Sequence, residues 1–325
     1  MKRALGILRS TPVKVTFLVL ALAAAVWAVA AQWGEVQSSL RQMDPVIIIG
    51  AVAVSLLYVL ATMLSWRAVL RDLGSIPAPL AGARIFLISQ LGKYLPGGVW
   101  NIVAAAELGS THRIPARRSV SAMLVTTLIS LVTGLLLALV SVPFAPAELV
   151  ARFGWAFWFF PLFVLLLLPP VLNRLLGVML RFLRKPGLES PLSWSGITLA
   201  VWWALVAWVI AGVQVWLLGV GLGAPAHPMF LVQAVGGYGF AWSVGFLVVV
   251  VPAGAGVREA VLGIVLGSVL PAGAIVVLVL LSRVLFTIAD LVLGGLGLVI
   301  GRHPAARTLT EPESAEAAVQ DAEVK

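Results

Sequence analysis

The sequence predicts an all-α, polytopic membrane protein with about six full transmembrane helices and two broken or re-entrant helical hairpins related as an inverted repeat. Of the 325 residues, 61% are hydrophobic, and the mean hydropathy of the chain is +1.07. Several apolar stretches reach the ~20 residues that an α-helix needs to cross a bilayer. Two other apolar stretches are interrupted by Pro and Gly. Length, apolar character and interruption together predict this fold class.

Six stretches are long and apolar enough to be full spans. They are 13–33, 45–66, 120–141, 155–174, 195–218 and 272–300. Basic residues followed by an apolar run also fit a cleavable signal peptide in place of the first span, and the sequence leaves that alternative open.

Two segments break the helical pattern inside apolar sequence. The first is GKYLPGGVW at 92–100, and the second is PAGAGVRE at 252–259. Lipid cannot satisfy unpaired N–H and C=O groups, so irregular backbone at membrane depth persists only where protein or a wet cavity surrounds it. We therefore predict hairpins over 80–109 and 228–267 whose breaks line a binding site. The first arm of the second hairpin, 228–251, is also long enough to cross completely.

The distribution of basic residues predicts the topology. Most of the 22 Lys and Arg residues fall in loops on one side, whereas the loops on the other side contain only Arg41 and Arg152. Because cytoplasmic loops carry the excess of Lys and Arg, both termini are expected in the cytoplasm of a cell with a bacterial-type inner (plasma) membrane. The two hairpins then enter from opposite sides.

A shift of 156 positions aligns Pro96 with Pro252 and Gly98 with Gly254. The sequence therefore predicts a membrane domain over 1–301 that contains two inverted halves, at about 45–141 and about 195–300. A disordered cytoplasmic tail is predicted over 302–325. The tail has too little apolar content to fold. Inverted repeats with discontinuous helices are typical of transporters that hold substrate near the midplane.

Several function classes are disfavoured by composition. There is no cysteine, and the three histidines fall in predicted loops, so neither a metal site nor a cofactor is predicted. Familiar nucleotide-binding and hydrolase motifs are also missing from the sequence. The net charge of +9 is scattered between apolar spans, which argues against nucleic acid as a partner. We expect a protein that is not an enzyme.

Ionisable side chains within the membrane are candidates for function, because each costs ~2.5 to 3.5 kcal/mol to insert. Half-helices that begin at the two breaks would also direct anion-binding N-termini toward the midplane. The candidate substrate-binding and transport residues are Lys93, Pro96, Gly97, Gly98, Asn101, Glu107, Pro252, Gly254, Gly256, Arg258, Glu259, Arg283 and Asp290.

Structural alternatives exist for several of these residues. Arg283 and Asp290 share one helical face at i and i+7, so Arg283 could pair with Asp290 or with Glu259 in a purely structural role. Asn101 could cap the backbone or contact a headgroup. The Pro-Gly segments could simply turn tight hairpins.

Two predictions concern packing. Trp33, Trp66, Trp155 and Trp194 fall at predicted span ends, where amphipathic rings prefer the membrane interface. Gln214 is a single polar group in a span, and such residues usually form hydrogen bonds between helices.

The segments GKYLPGGVW and PAGAGVRE resemble the two signature regions of the lysylphosphatidylglycerol synthase transmembrane-region family. The resemblance covers roughly residues 10–300 and implies a flippase-like plasma-membrane protein. In fused synthases of the family, this membrane part is associated with moving aminoacylated phospholipid between leaflets, and stand-alone members are linked to lipid-carried sugar pathways. This chain ends at Lys325 without an aminoacyltransferase domain, so synthase activity is not expected.

The sequence thus predicts a lipid translocator, flippase- or scramblase-like, that handles an anionic phospholipid or a lipid-linked headgroup at the membrane midplane. One alternative is a secondary transporter of a small anionic solute. Another is a non-transporting membrane partner of a lipid-modifying enzyme or glycosyltransferase. Partners would be the membrane, the lipid headgroup and either further copies of the chain or a membrane enzyme.

Overall fold

The computed structural model describes residues 43–94, 99–145, 147–182, 190–247 and 257–300. The first predicted span at 13–33, with its signal-peptide alternative, lies outside the described residues. So do residues 95–98 of the first Pro-Gly break, residues 252–256 of the second, and the predicted tail at 302–325.

The described residues form α-helices and short 3-10 turns, and they contain no strand. Numbered in chain order, the helices are α1 Pro45–Asp72, α2 Pro79–Gln90, α3 Trp100–Ser110, α4 Ala116–Ser141, α5 Ala147–Phe153, α6 Phe160–Leu166, α7 Pro169–Phe182, α8 Trp194–Gly221, α9 Pro228–Leu247, α10 Val257–Leu266 and α11 Ala272–Ile300. The 3-10 turns are Leu91–Tyr94, Val142–Phe144 and Gly154–Phe159.

Five of these helices, α1, α4, α8, α9 and α11, are long and apolar enough to cross a membrane. The predicted class, a polytopic all-α membrane protein, is confirmed. Helix α9 has 20 residues, and at ~1.5 Å per residue it is about 30 Å long, which matches the hydrocarbon thickness. The first arm of the second hairpin is therefore long enough for a complete crossing.

The predicted span at 155–174 is not one straight helix. The chain bends by 75° where α6 gives way to α7. Pro169 and Pro170 follow the bend, and because proline has no N–H, neither can continue the hydrogen-bond ladder of α6. After the bend, α7 buries Leu172 and Leu176 while Arg174 is exposed, so this helix is amphipathic.

Helices α1 and α8 are the central pair and pack antiparallel. The hydroxyl of Ser65 donates to the carbonyl of Ala200 at 2.8 Å, and the amide of Gln214 donates to the hydroxyl of Ser55 at 3.1 Å. Gln214 also bonds with Ser282 of α11, whose hydroxyl donates to its Oε1 at 2.7 Å. The prediction that Gln214 forms hydrogen bonds between helices is confirmed.

Two further antiparallel crossings depend on glycine. On α11, a Cβ at Gly294 would lie 2.9 Å from the side chain of Leu91 at the end of α2. On α9, a Cβ at Gly239 would lie 2.9 Å from the backbone oxygen of Gly134 on α4. Without side chains at these points, the helix axes approach closely.

The prediction of Trp66 as an interface anchor is wrong. Its side chain is 0% exposed and its ring lies 5.4 Å, centroid to centroid, from that of Phe86 on α2. Helix α1 continues to Asp72, so Trp66 lies within the helix and not at its end. At that position the indole packs against α2 and does not reach the membrane interface. Trp155 and Trp194 are exposed, as expected of anchors.

Candidate functional site

Asp290 on α11 is the most deeply buried charge among the described residues, with 1% of its side chain exposed. Its Oδ2 accepts a hydrogen bond from Nζ of Lys93 at 2.7 Å and another from the hydroxyl of Tyr94 at 2.5 Å. Its Oδ1 is buried and has no described partner. One carboxylate oxygen therefore holds both donors while the other is unused.

The local backbone explains why Lys93 and Tyr94 reach Asp290. Both belong to the 3-10 turn that follows α2, and α2 packs along α11. At Gly92, a Cβ would lie 2.6 Å from the amide nitrogen of Asn101, so only glycine allows α3 to begin this close to the turn. The tight hairpin fixes the direction in which the two side chains leave the backbone.

Two more tyrosines and an arginine complete the site. Tyr58 on α1 and Tyr238 on α9 each interact electrostatically with both Asp290 and Arg258, the second residue of α10. The Nε of Arg258 is buried and has no described partner. We call Tyr58, Lys93, Tyr94, Tyr238, Arg258 and Asp290 the central polar cluster.

The cluster lies at mid-depth in the helix bundle. Tyr58 is close to the centre of the 28-residue helix α1, and Tyr238 is close to the centre of the 20-residue helix α9. The ring of Phe286 lies between them, with centroids 4.9 Å from Tyr58 and 5.6 Å from Tyr238. Because both tyrosines are central in helices that can cross the membrane, the cluster is far from either surface.

Arg283 and Asn101 lie near the cluster. Arg283 is half-buried and interacts electrostatically with Tyr238. Asn101 is the second residue of α3 and lies beside Gly92. Its Oδ1 is buried without a described partner, so this oxygen does not cap the helix. The carboxylate of Asp290 is paired with Lys93 and Tyr94, which is a different pairing from the Arg283 alternative raised by the sequence.

The other candidates lie apart from the cluster or outside the described residues. Glu107 is exposed and sits two positions, or about 200°, around α3 from the buried Ala105. Glu259 is part of α10, but only its backbone is described. The candidates outside the described residues are Pro96, Gly97, Gly98, Pro252, Gly254 and Gly256.

The sequence-based candidates did not include any tyrosine. The whole chain has only three, against 12 tryptophans and 13 phenylalanines, and all three belong to the cluster. A tyrosine hydroxyl inside an apolar span needs a polar partner. This requirement is the feature of the sequence that could have indicated the three tyrosines as site residues.

The arrangement is suited to binding an anion. Lys93 and Arg258 supply positive charge, and phenolic hydroxyls supply hydrogen-bond donors. The side chain of Lys93 is 37% exposed although its partner Asp290 is almost fully buried. An anion could therefore approach Lys93 from outside the helix bundle.

Comparison with known proteins gives one family. Residues 15–294 match the family described as the lysylphosphatidylglycerol synthase TM region. None of the curated proteins compared matches the chain. Since the family match covers most of the 325 residues, including every residue of the central polar cluster, the chain belongs to the lysylphosphatidylglycerol synthase transmembrane-region family.

Proposed function

We propose that this protein moves a lipid with an anionic headgroup, either a phospholipid or a lipid-linked headgroup, between the leaflets of the membrane. The observation that carries the proposal is the central polar cluster at mid-depth in an apolar bundle. In it, Lys93 pairs with Asp290 beside Tyr94, and Arg258 interacts electrostatically with Tyr58 and Tyr238. Charged residues inside a membrane are costly and usually mark a substrate pathway. The headgroup phosphate would bind here while the acyl chains remain in the bilayer.

Repetition of the helices supports a transporter architecture. Helices α1 and α8 both have 28 residues, and their C-terminal residues are 149 positions apart (221 − 72). Each is followed two residues later by a glycine with positive φ, Gly74 at 82° and Gly223 at 98°. Each next helix then begins with a proline, Pro79 or Pro228. Two segments of the chain, one in each proposed half, thus share a helix of the same length followed by the same kind of turn.

The direction of packing supports inversion of the two halves. If α1 corresponds to α8, their antiparallel contact requires the halves to run in opposite directions. The shift of 156 positions brings the start of α4 onto that of α11 (116 + 156 = 272). The crossing of α2 with α11 then corresponds to that of α9 with α4, and both crossings occur. Inverted repeats commonly give transporters their two alternating states.

The exposure of Lys93 favours a lipid over a small soluble anion. A soluble substrate needs a closed cavity that faces water, whereas a lipid needs a lateral route for its tails. Lys93 is 37% exposed on a protein whose surface is rich in apolar side chains, which fits lateral entry. We further propose transport without catalysis, and a plasma-membrane location with both termini in the cytoplasm, as the distribution of basic residues favours.

The proposal is tested with purified protein in liposomes that contain fluorescently labelled phosphatidylglycerol, with translocation followed by quenching of the outer leaflet. Arg258→Gln removes a cluster cation, and we expect it to fold but to slow translocation at least tenfold. Arg283→Ala is expected to act in the same direction. Arg174→Gln, on the exposed face of α7, is the matched control and should translocate at the wild-type rate.

Wild-type protein that moves labelled lipid no faster than empty liposomes would refute the proposal. An unchanged rate in Arg258→Gln would remove this arginine, and the headgroup position that depends on it, from the mechanism.

A further inference from the structure

We infer that Asp290 is an internal substitute for the lipid phosphate, and that the bound headgroup displaces it from Lys93. The inference rests on the proposed function and specifies how the site binds and releases its substrate. The ligand class is a phosphate mono- or diester, carried by a lipid.

The first support is the geometry around Asp290. A single oxygen, Oδ2, accepts from both Lys93 and Tyr94, while Oδ1 is buried without a described partner. A carboxylate with a purely structural role in a dry bundle is expected to use both oxygens, because an unsatisfied buried acceptor costs free energy. The observed bonds instead resemble those that one phosphate oxygen would receive from an amine and a phenol.

The second support is the difference in exposure across the ion pair. Asp290 is 1% exposed and fixed on a long helix, whereas Lys93 is 37% exposed and ends a short 3-10 turn. When an anion arrives from the membrane side, the lysine is the partner that can reach it. Lys93 can change partner, and Asp290 remains in place.

The third support is unused binding capacity near the ion pair. The Nε of Arg258 is buried without a described partner, and Arg258 shares Tyr58 and Tyr238 as electrostatic neighbours with Asp290. Arg258 is thus a second cation that acts on the same tyrosines as Asp290, and its charge would favour a phosphate bound to Lys93. The site therefore offers a phosphate more positive charge than Asp290 itself uses.

Competition by Asp290 has a consequence for transport. Each binding event leaves the carboxylate buried without its cation, and this cost weakens the hold on the lipid. A site that must release its substrate on the other side benefits from such weakness, since tight binding would slow turnover. By competing for Lys93, Asp290 lowers the affinity of the site for phosphate enough for the lipid to be released.

The test compares Asp290→Asn with wild-type protein in nanodiscs, with binding of phosphatidylglycerol measured by native mass spectrometry. The amide can still accept the hydrogen bond from Tyr94 but no longer competes by charge. We expect phosphatidylglycerol to bind roughly tenfold more tightly, equivalent to ~1.4 kcal/mol, and to be translocated more slowly. Glu148→Gln, an exposed carboxylate on α5, makes the same charge change and should leave affinity unchanged. Asp290→Asn combined with Lys93→Gln should lose the gain.

A parallel measurement uses inorganic phosphate in place of the lipid. If phosphate alone binds Asp290→Asn as tightly as phosphatidylglycerol does, the ligand is a free anion and the lipid assignment is overturned. The exchange is also tested in wild-type protein, independently of how the variant folds. On addition of phosphatidylglycerol, infrared difference spectra of wild-type protein should show a shift of the Asp290 carboxylate band. The same shift should appear in the Glu148→Gln variant, which lacks only an unrelated carboxylate.

The outcomes separate this inference from the proposed function. Equal affinity in Asp290→Asn and wild type, or an unchanged carboxylate band, overturns displacement even if wild-type protein translocates lipid. Tighter binding by the variant supports displacement even if wild-type protein fails to translocate, in which case only the transport proposal falls.

Discussion

Two crossings that correspond under the proposed inverted repeat are held together by different chemistry. Where the segment after α2 crosses α11, Asp290 accepts bonds from Lys93 and Tyr94. Where α9 crosses α4, Gly134 corresponds to Asp290 at the offset of 156 that relates the start of α4 to that of α11 (290 − 156). Ser243 corresponds to Tyr94 at the offset of 149 that relates the end of α1 to that of α8 and the start of α2 to that of α9 (94 + 149). A Cβ at Gly134 would lie 2.9 Å from the hydroxyl of Ser243. The same place is ionic in one half and closely packed in the other.

The difference teaches that the fold does not require the ion pair. The crossing of α4 with α9 forms through glycine and serine, and Ser243 donates to the carbonyl of Leu131 at 3.3 Å. Since small residues are sufficient to join such helices in a membrane, the charges at the other crossing have a reason beyond packing. Their position in the central polar cluster fits a role in substrate binding.

The largest effect is expected from breaking the ionic crossing on one side only. Lys93→Met leaves the buried carboxylate of Asp290 with Tyr94 as its described donor. We expect the free energy of unfolding to fall by about 3 kcal/mol, as is typical when one partner of a buried pair is removed. Thermal unfolding in detergent measures the loss.

A double-mutant cycle provides the control for Lys93→Met. In the double variant Lys93→Met with Asp290→Asn, neither charge remains, so much of the lost stability should return. If the two substitutions are simply additive, the ion pair does not stabilise the crossing, and the contrast between the two halves loses its energetic basis.

The sequence could predict the members of this pair but not their pairing. Lys93 and Asp290 were both candidates because a charge inside an apolar segment is costly. They are 197 positions apart (290 − 93), and the contact depends on the close approach at Gly92 and on α2 packing along α11, neither of which has a local sequence signal. The sequence instead indicates Arg283 as a partner of Asp290, because the two residues lie on the same helix face at i and i+7.

The sequence was sufficient to predict the long membrane helices, but not every bend within them. Long apolar runs gave α1, α4, α8 and α11 within a few residues of their bounds, because backbone groups in lipid must bond within the helix. At 155–174 the same apolar character hid a 75° bend, since hydropathy contains no information on direction. The depth of Tyr58 and Tyr238 was also missed, because each is a single hydroxyl in a span.

A smaller loss of stability is expected from the packed crossing. Gly239→Ala places a methyl group 2.9 Å from the backbone oxygen of Gly134, and backbone cannot move aside as a side chain can. We expect a loss of about 2 kcal/mol from overpacking, measured by thermal unfolding in detergent. Gly295→Ala on α11, where a Cβ has nothing within 4 Å, is the matched control and should be neutral or slightly stabilising. Equal effects in the two variants would contradict close packing at Gly239.

The smallest effect concerns pH and distinguishes the turns that follow the two hairpins, between α3 and α4 and between α10 and α11. Burial, followed by the charge of Arg84, lowers the pKa of His112 below its usual 6.5, whereas the corresponding position in the second half is Ser268 (112 + 156), which does not titrate. Because the unfolded chain then binds more protons than the folded one, the contribution of His112 to the free energy of unfolding is fully present above pH 6.5. It falls as the pH decreases from 6.5 toward the folded pKa.

Unfolding temperatures from pH 8 to pH 5 measure this dependence. His112→Gln should reduce the loss of stability on acidification, and Arg84→Gln should reduce it only in part, because burial is the larger cause of the lowered pKa and remains. A profile for His112→Gln that follows the wild type throughout would show that the histidine is not held neutral. The difference between the hairpins would then be confined to the central polar cluster, where Lys93 and Asp290 meet.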